Sequence, residues 1–302
     1  MTYKVKLGIS LRSLARDASD FADRIGEVAT FNPDSIELSC FAQDLIMNGS
    51  VITDRVTNMK SILNEYSIKS TMHGPLTFNL LDPTENIQSH INTAESYLEL
   101  GAMLGVTAMV LHTGFCPNME PPKLAERYDV QREGLYYIAQ RAQSRGLTIY
   151  LENIFPFYDG AHTALPSKLA SELLEINHTH LKGCFDVSHG YIACTAYNAD
   201  LVSEVKQISP LSPHWHVHDS FGKPTKSLEP YTHSESLSYG IGDLHLAVGH
   251  GSLPWNDVLN AATITENAVF NIELHPELWS DLDICIANTR ELIDAAGQKG
   301  KF

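Results

Sequence analysis

The sequence predicts a single parallel (β/α)8 barrel, in which eight strands close into a ring and helices surround them. Two observations support this α/β fold: strand-like and helix-like segments alternate along the chain, and eight strand candidates occur in all. The chain has 302 residues, a length that such barrels commonly reach. We therefore expect residues 1–302 to form one TIM-barrel domain.

The strand candidates are short apolar or β-branched runs. In order they span residues 4–11, 35–39, 69–73, 108–112, 148–152, 182–187, 215–218 and 269–274. Helical spacing is clearest in 87–104, where Ile91, Ala94 and Leu98 recur with a period near 3.6. The other helix candidates are 123–145, 167–176 and 281–296.

Two longer polar segments, 155–166 and 221–240, follow the fifth and seventh strands. Long loops of a barrel enzyme lie over its catalytic face, so we expect both segments to shape a pocket. Four aromatic side chains in or near the loops are candidates for its apolar walls, although packing explains such residues equally well. They are Phe115, Phe157, Tyr158 and Trp255.

Composition limits the class of protein. No run reaches the roughly 18–20 apolar residues that a membrane span needs, and the N-terminus lacks a signal-peptide pattern. The five cysteines are scattered and form no C-x-x-C pair, which favours reduced thiols in a cytoplasmic protein. The formal net charge of −15 weighs against nucleic acid as a partner, since phosphate contacts depend on Lys and Arg.

Four metal-capable residues occur at or near the ends of strands five to eight: Glu152, Asp186, His216 and Glu273. In a parallel barrel these ends meet at one rim, where charged side chains indicate a functional site. One imidazole with three carboxylates suits a divalent ion such as Mn²⁺, Co²⁺, Mg²⁺ or Zn²⁺. Any one of them alone could be a buried polar residue satisfied by neighbours, but four on consecutive strands favour a metal site.

Further His and Asp residues accompany this set as additional metal ligands or substrate contacts. They are His73, His112, His189, His218, Asp243 and His245. His216 and His218 alternate around one valine and so point the same way along a strand. We assign His216 to the metal and His218 to a supporting or substrate contact.

The motifs that carry these residues resemble the xylose-isomerase-like TIM-barrel superfamily. They are H-x-G at strand four, L-E-N at strand five, D-x-x-H at strand six, H-x-H-D at strand seven and D-x-H-L-x-x-G-x-G-x-x-P-W from Asp243 to Trp255. The superfamily contains sugar isomerases and epimerases and also the endonuclease IV class. The resemblance covers roughly His73 to Glu277 and does not choose between members.

The resemblance to the isomerases and epimerases implies one divalent ion held by the four strand-end residues. Glu152 and Glu273 would lie on opposite faces of a small keto or aldo sugar and exchange its proton through an enediolate. His189 resembles the family's contact to a substrate hydroxyl. A carbohydrate substrate and a homo-oligomer are the partners that this resemblance implies, without fixing the sugar or a phosphate group on it.

Three alternatives remain open, and one of them is a barrel that binds a sugar without catalysis or serves as a subunit of a larger complex. The endonuclease IV class uses the same positions for up to three zinc ions and hydrolyses a phosphodiester, and its ligand pattern extends to His73, His112, His189, Asp243 and His245. The net charge of −15 opposes that reading. The remaining alternative is a metal-dependent lyase that cleaves C-glycosides together with a second subunit.

Overall fold

Eight parallel strands form a closed barrel in the computed structural model, which describes residues 4–225, 228 and 230–299. In chain order they are β1 (Lys6–Leu11), β2 (Ser35–Leu38), β3 (Lys69–His73), β4 (Ala108–His112), β5 (Thr148–Glu152), β6 (Leu181–Asp186), β7 (His214–Val217) and β8 (Val269–Ile272). Each strand pairs with its neighbours in sequence, and β8 pairs with β1 to close the ring. The predicted fold class is confirmed, and all eight strands fall within two residues of their expected bounds.

Ten helices surround the barrel in the described part of the chain. They are α1 (Phe21–Ala29), α2 (Thr53–Glu65), α3 (Thr84–Leu104), α4 (Pro121–Gln143), α5 (Pro166–Ile176), α6 (Val187–Tyr197), α7 (Leu201–Ile208), α8 (His233–Tyr239), α9 (Trp255–Ala261) and α10 (Leu282–Lys299). Helix α3 ends at Gly105 with φ of 75°, a left-handed conformation that glycine adopts without strain. No helix among the described residues combines the length and the apolar composition required to span a membrane.

Side-chain alternation separates the two faces of the sheet, most clearly on β6, β7 and β8. Phe185, Trp215 and Phe270 lie side by side on β6, β7 and β8, fully buried, with ring centroids 5.0 and 5.2 Å apart. The intervening residues, among them His216 and Asn271, point to the opposite side of the sheet. Apolar packing between sheet and helices thus fixes the strands, while the barrel interior holds polar side chains.

Strand register brings the functional residues to the same height at the carboxyl end of the barrel. His112 on β4 is paired with Glu152 on β5, and Asp186 on β6 is paired with His216 on β7. Side chains on directly paired positions of neighbouring strands lie on the same face. The register therefore places carboxylates and imidazoles from adjacent strands in contact.

The two long loops differ in structure. The segment after β5 contains a short strand, Ala161–Thr163, which pairs antiparallel with Phe115–Pro117 from the loop after β4. The segment 221–240 was expected to be irregular, yet it contains α8. That helix begins at a capping box formed by Thr232 and Glu235 and ends at Gly240 in the left-handed region, which explains why a helix forms here. Residues 226, 227 and 229 lie outside the described residues.

Asp219, which follows β7, ties the end of that strand to the segment before α9. Its buried carboxylate accepts four hydrogen bonds of 2.9 to 3.2 Å. The donors are the backbone N–H groups of Ser220, Gly249 and Leu253 and the indole N–H of Trp255. This carboxylate therefore holds in place the loop that carries Asp243 and His245.

We expect Asp219→Ala to lower the free energy of unfolding by ~3 kcal/mol, because four donors lose a charged acceptor that is itself buried. Urea unfolding followed by circular dichroism measures this change. The exposed Glu266→Ala should change stability by less than about 0.5 kcal/mol and serves as the control. Equal stability of the two variants would refute a structural role for the Asp219 carboxylate.

Candidate metal centre

Four side chains from consecutive strands converge at the barrel rim. Glu152 ends β5, Asp186 ends β6, His216 lies in β7, and Glu273 directly follows β8. One potential ligand atom from each of them lies within 4.8 Å of those of the other three. The structure thus brings together the four residues that the sequence analysis assigned to a metal. We call this set the central group.

His216 is oriented by a carboxylate on the far side of its ring. Its Nε2 lies 3.1 Å from Glu37 Oε1, and because a carboxylate accepts hydrogen bonds, this nitrogen carries the proton in the neutral ring. Nδ1 then presents a lone pair to Glu152 Oε1 and Glu273 Oε2, each 3.2 Å away. Acceptors that face one another at this distance repel, so the centre requires a proton or a cation between them.

Glu37 on β2 was missed in the sequence analysis. It is buried, accepts a hydrogen bond of 3.2 Å from Thr71 Oγ1, and lies 2.9 Å from His214 Nε2 as well as close to His216. The available signal was a glutamate inside the apolar strand Ser35–Leu38. A carboxylate behind a ligating histidine fixes its tautomer and increases its basicity.

A second group lies beside the central one and consists of His189, His218, Asp243 and His245. His189 and His245 donate from Nδ1 to backbone carbonyls, at 3.1 Å to Asn153 and 2.8 Å to Glu273. Their Nε2 atoms face Asp243 Oδ2 at 3.1 and 2.7 Å. A histidine that donates from Nδ1 to a backbone carbonyl keeps Nε2 as the ligand atom, which is typical of metal-ligating histidines.

His218 and Asp243 present buried atoms without hydrogen-bond partners among the described residues. His218 Nε2 donates to Asp186 Oδ2 at 2.9 Å, which leaves Nδ1 as an acceptor in the neutral ring. That Nδ1 lies 3.9 Å from Asp243 Oδ1, and neither atom has a hydrogen bond within the described chain. Since unpaired buried polar atoms are costly, this pair also fits a bound cation.

The third group consists of His73, His112 and Glu152. His73 donates from Nδ1 to the carbonyl of Gly74 at 3.0 Å, so Nε2 faces Glu152 Oε2 at 3.2 Å. His112 Nε2 lies 3.5 Å from the same oxygen. Glu152 therefore belongs to both the central and the third group, and all ten candidate residues from the sequence analysis lie in these three groups.

The protonation states of the carboxylates and imidazoles in the three groups depend on one another. Burial acts to raise the pKa of Glu152, but the neighbouring His216, with hydrogen bonds from His189 and His216, holds it well below the usual range. Burial acts to lower the pKa of His245, yet the Asp243 carboxylate raises it to about 9. Burial lowers the pKa of His112 to about 4. Without a cation, then, protons on selected imidazoles balance the carboxylates.

The central group opens into a cavity of about 360 Å³. Glu273 lies at its floor and accepts a 3.5 Å hydrogen bond from Ser10, which in turn accepts one from Asn271. Six large apolar side chains form the walls: Phe41, Leu76, Phe155, Phe157, Leu274 and Trp279. Of these six, Phe157 was selected from the sequence and the other five were not.

The four aromatic residues expected in the walls have different positions. Phe157 lines the cavity, whereas Phe115 packs behind it, with ring centroids 5.0 Å apart, and Tyr158 contacts Phe115. Trp255 instead begins α9 and donates its indole N–H to Asp219, away from the cavity. Its position in a rim motif suggested a wall of the cavity. Because its indole N–H instead donates to a buried carboxylate, Trp255 has a structural role.

The family model of the xylose isomerase-like TIM barrel matches residues 25–297. The uncharacterized protein MJ1614 of Methanocaldococcus jannaschii is 25% identical over 297 residues, covering 96% of this chain and all of the relative. Two solved structures show the same fold. A D-tagatose 3-epimerase-like protein has a TM-score of 0.69 at 18% identity and covers 98% of this chain and 99% of its own. The IOLI protein with a zinc atom has a TM-score of 0.66 at 14% identity and covers 97% and 99%.

We expect Glu37→Ala to weaken divalent-metal binding by about 10- to 100-fold, because His216 loses the carboxylate that fixes its tautomer. Glu37→Gln keeps an acceptor but loses the charge, so its loss should be smaller. Competition with a chromophoric chelator measures the affinity, and circular dichroism checks the fold. The exposed Glu65→Gln is the charge-matched control. Wild-type affinity in Glu37→Ala would show that this carboxylate does not support the centre.

Proposed function

The chain belongs to the xylose isomerase-like TIM-barrel family, and on that basis we propose that it is a divalent-metal-dependent isomerase or epimerase of a small hydroxy-carbonyl sugar. The observation that carries the proposal is the central group, in which Glu152, Asp186, His216 and Glu273 meet and two of the four, Glu152 and Glu273, line the cavity. The similar solved structures include sugar epimerases, which supports the same class of enzyme.

The donor set fits one divalent ion. Three carboxylates and an imidazole nitrogen face one another, and such a mixed N/O set accepts Mn²⁺, Co²⁺, Mg²⁺ or Zn²⁺. A bound ion would stabilise negative charge on the oxygen of a carbonyl next to the carbon that loses its proton. The IOLI protein, which has the same fold, binds a zinc atom, and this supports a metal-dependent enzyme.

Glu152 and Glu273 are suited to proton transfer. Each has an oxygen 3.2 Å from His216 Nδ1, so both are directed at one centre, and both line the cavity. The low pKa of Glu152 keeps it ionised and able to accept a proton. One glutamate would take the proton from the carbon beside the carbonyl to give an enediolate, and the other would return one. His189 would hold a hydroxyl of the substrate.

The cavity favours a small substrate. Its volume of about 360 Å³ lies at the lower end of ligand pockets and suits a molecule of sugar size. Apolar walls such as Phe155 and Phe157 would limit the access of water to the carboxylates once a substrate fills the cavity. Exclusion of water strengthens the electrostatic interactions that proton abstraction from carbon requires.

A second candidate, phosphodiester hydrolysis with several zinc ions, is favoured by one observation. Two further groups of potential ligands flank the central one, and Glu152 is shared with the third group. Clustered ions could activate water and bind a phosphate oxygen. The net charge of −15 opposes long-range attraction of DNA, which is why we place this function second.

We expect Glu152→Gln and Glu273→Gln each to lower proton exchange by at least about 100-fold, because an amide cannot accept the proton. The assay incubates metal-loaded protein with ketoses and aldoses in D2O, and NMR follows deuterium incorporation at carbon. The exposed Glu266→Gln controls for the loss of a charge. Wild-type exchange in either active-site variant, with circular dichroism unchanged, would exclude the assigned acid/base role.

We expect one tightly bound divalent ion per chain in protein purified without chelators or added metal. Removal with EDTA should abolish sugar turnover, and addition of Mn²⁺, Co²⁺, Mg²⁺ or Zn²⁺ should restore it. Elemental analysis measures the content. Two or three zinc ions per chain, together with nicking of DNA at abasic sites, would instead establish the second candidate.

A further inference from the structure

Two arginines lie at the cavity, opposite in charge to the carboxylates at its floor. Arg12 directly follows β1, and Arg24 lies in α1. Among the described residues that line the cavity, these are the only side chains with a permanent positive charge. In a chain with 21 basic and 36 acidic residues, two cations at one cavity wall require an explanation.

Arg24 is held in a fixed position. Its Nε donates to the carbonyl of Arg12 at 3.3 Å, its Nη1 donates to Glu27 Oε2 at 2.6 Å, and its guanidinium carbon lies 4.6 Å from the ring centre of Trp279. Trp279 in turn donates its indole N–H to Glu27 Oε1 at 2.9 Å. Only 15% of the Arg24 side chain is exposed. The result is a rigid, preorganised guanidinium whose Nη2 has no hydrogen-bond partner within the described chain.

Arg12 has no such partner for its guanidinium. Its side chain is exposed, and within residues 4–225, 228 and 230–299 it forms no ion pair or side-chain hydrogen bond. Arg16, four residues further along the same loop, instead pairs with Asp44 at 2.8 Å and does not line the cavity. Arg12 thus presents an unpaired charge to the cavity, whereas the charge of Arg16 is balanced by Asp44.

Given the proposed function, on which this inference rests, we propose that the substrate carries an anionic group, a carboxylate or a phosphate, that Arg12 and Arg24 bind at the end remote from the central group. Guanidinium groups bind these two anions through paired, charge-assisted hydrogen bonds. With a divalent ion balancing the carboxylates of Glu152 and Glu273, the two arginines are the permanent positive charges left in the described lining of the cavity, so they fix which end of the substrate lies away from the proton-transfer residues.

The geometry of the walls agrees with this orientation. Trp279 contacts Arg24, and Leu274 and His275, on the same segment after β8, also line the cavity. An elongated substrate would therefore extend from Glu273 past this segment to the two arginines. A six-carbon sugar derivative with a terminal anion has the size for a cavity of about 360 Å³.

The test uses metal-loaded full-length protein and three probes that share a six-carbon keto frame but differ at C6. They are D-fructose with a hydroxyl, D-fructuronate with a carboxylate and D-fructose 6-phosphate with a phosphate. Calorimetric titration should show at least one anionic probe binding about tenfold or more tightly than fructose, and the order of the two anions identifies the group.

Arg12→Gln should remove about tenfold of the affinity for the preferred anion and leave fructose binding unchanged. Arg16→Gln, from the same loop, should retain the wild-type preference and is the matched control. Equal binding of all three probes by the wild type, including no detectable binding, overturns the proposal. So does an anion preference that persists in Arg12→Gln, since the anion would then bind at the metal centre.

The calorimetric titration tests the anion site, and the proton-exchange assay tests the isomerase or epimerase reaction independently. A preference for anions that depends on Arg12 in a protein that exchanges no proton at carbon would support the anion site and reject the proposed isomerase or epimerase reaction. Proton exchange on neutral sugars, unaffected by Arg12→Gln and without any anion preference, would reject the anion site and keep the reaction.

Discussion

The burial of carboxylates against imidazoles is the constraint on which the whole carboxyl end of the barrel depends. Glu152 and Asp186 are fully buried, and an isolated buried carboxylate would be strongly destabilising. Each of them instead lies within 3.2 Å of a histidine nitrogen from another element. The histidines cannot be removed without leaving uncompensated charge, so the ionisable groups form one unit that a proton or a metal ion completes.

The barrel fold brings the carboxylates and imidazoles of this unit within contact distance of one another. Neighbouring strands place paired residues side by side, as with Asp186 and His216. The closed ring adds contacts that no neighbouring pair provides: Glu37 on β2 reaches His216 on β7, although 179 positions separate them in the chain. An open sheet would leave these two strands far apart, so ring closure itself determines the tautomer of His216.

The sequence could predict which residues end a strand, but it could not predict contacts across the interior of the closed barrel. The strands were readable because each is a short apolar run, and the rim residues Glu152, Asp186 and Glu273 were readable because each ends such a run. Glu37 was not assigned, because its role depends on a contact across the barrel interior. The helix α8 was overlooked although Thr232 and Glu235 form a recognisable capping box. For Trp255 the sequence left a cavity wall and packing equally open, because only the structure shows its hydrogen bond to Asp219.

The number of ions at the rim is linked to the charge of the substrate. The three ligand groups contain four carboxylates, of Glu152, Asp186, Asp243 and Glu273. One divalent ion balances two of these four negative charges, and protonated imidazoles such as His189 and His245, whose pKa values the neighbouring carboxylates raise, can balance the other two. Three divalent ions with neutral imidazoles would instead leave two positive charges, which attract a phosphodiester. One ion therefore suits the hydroxyl and carbonyl oxygens of a sugar at the floor and leaves the recognition of an anion to arginines elsewhere in the cavity.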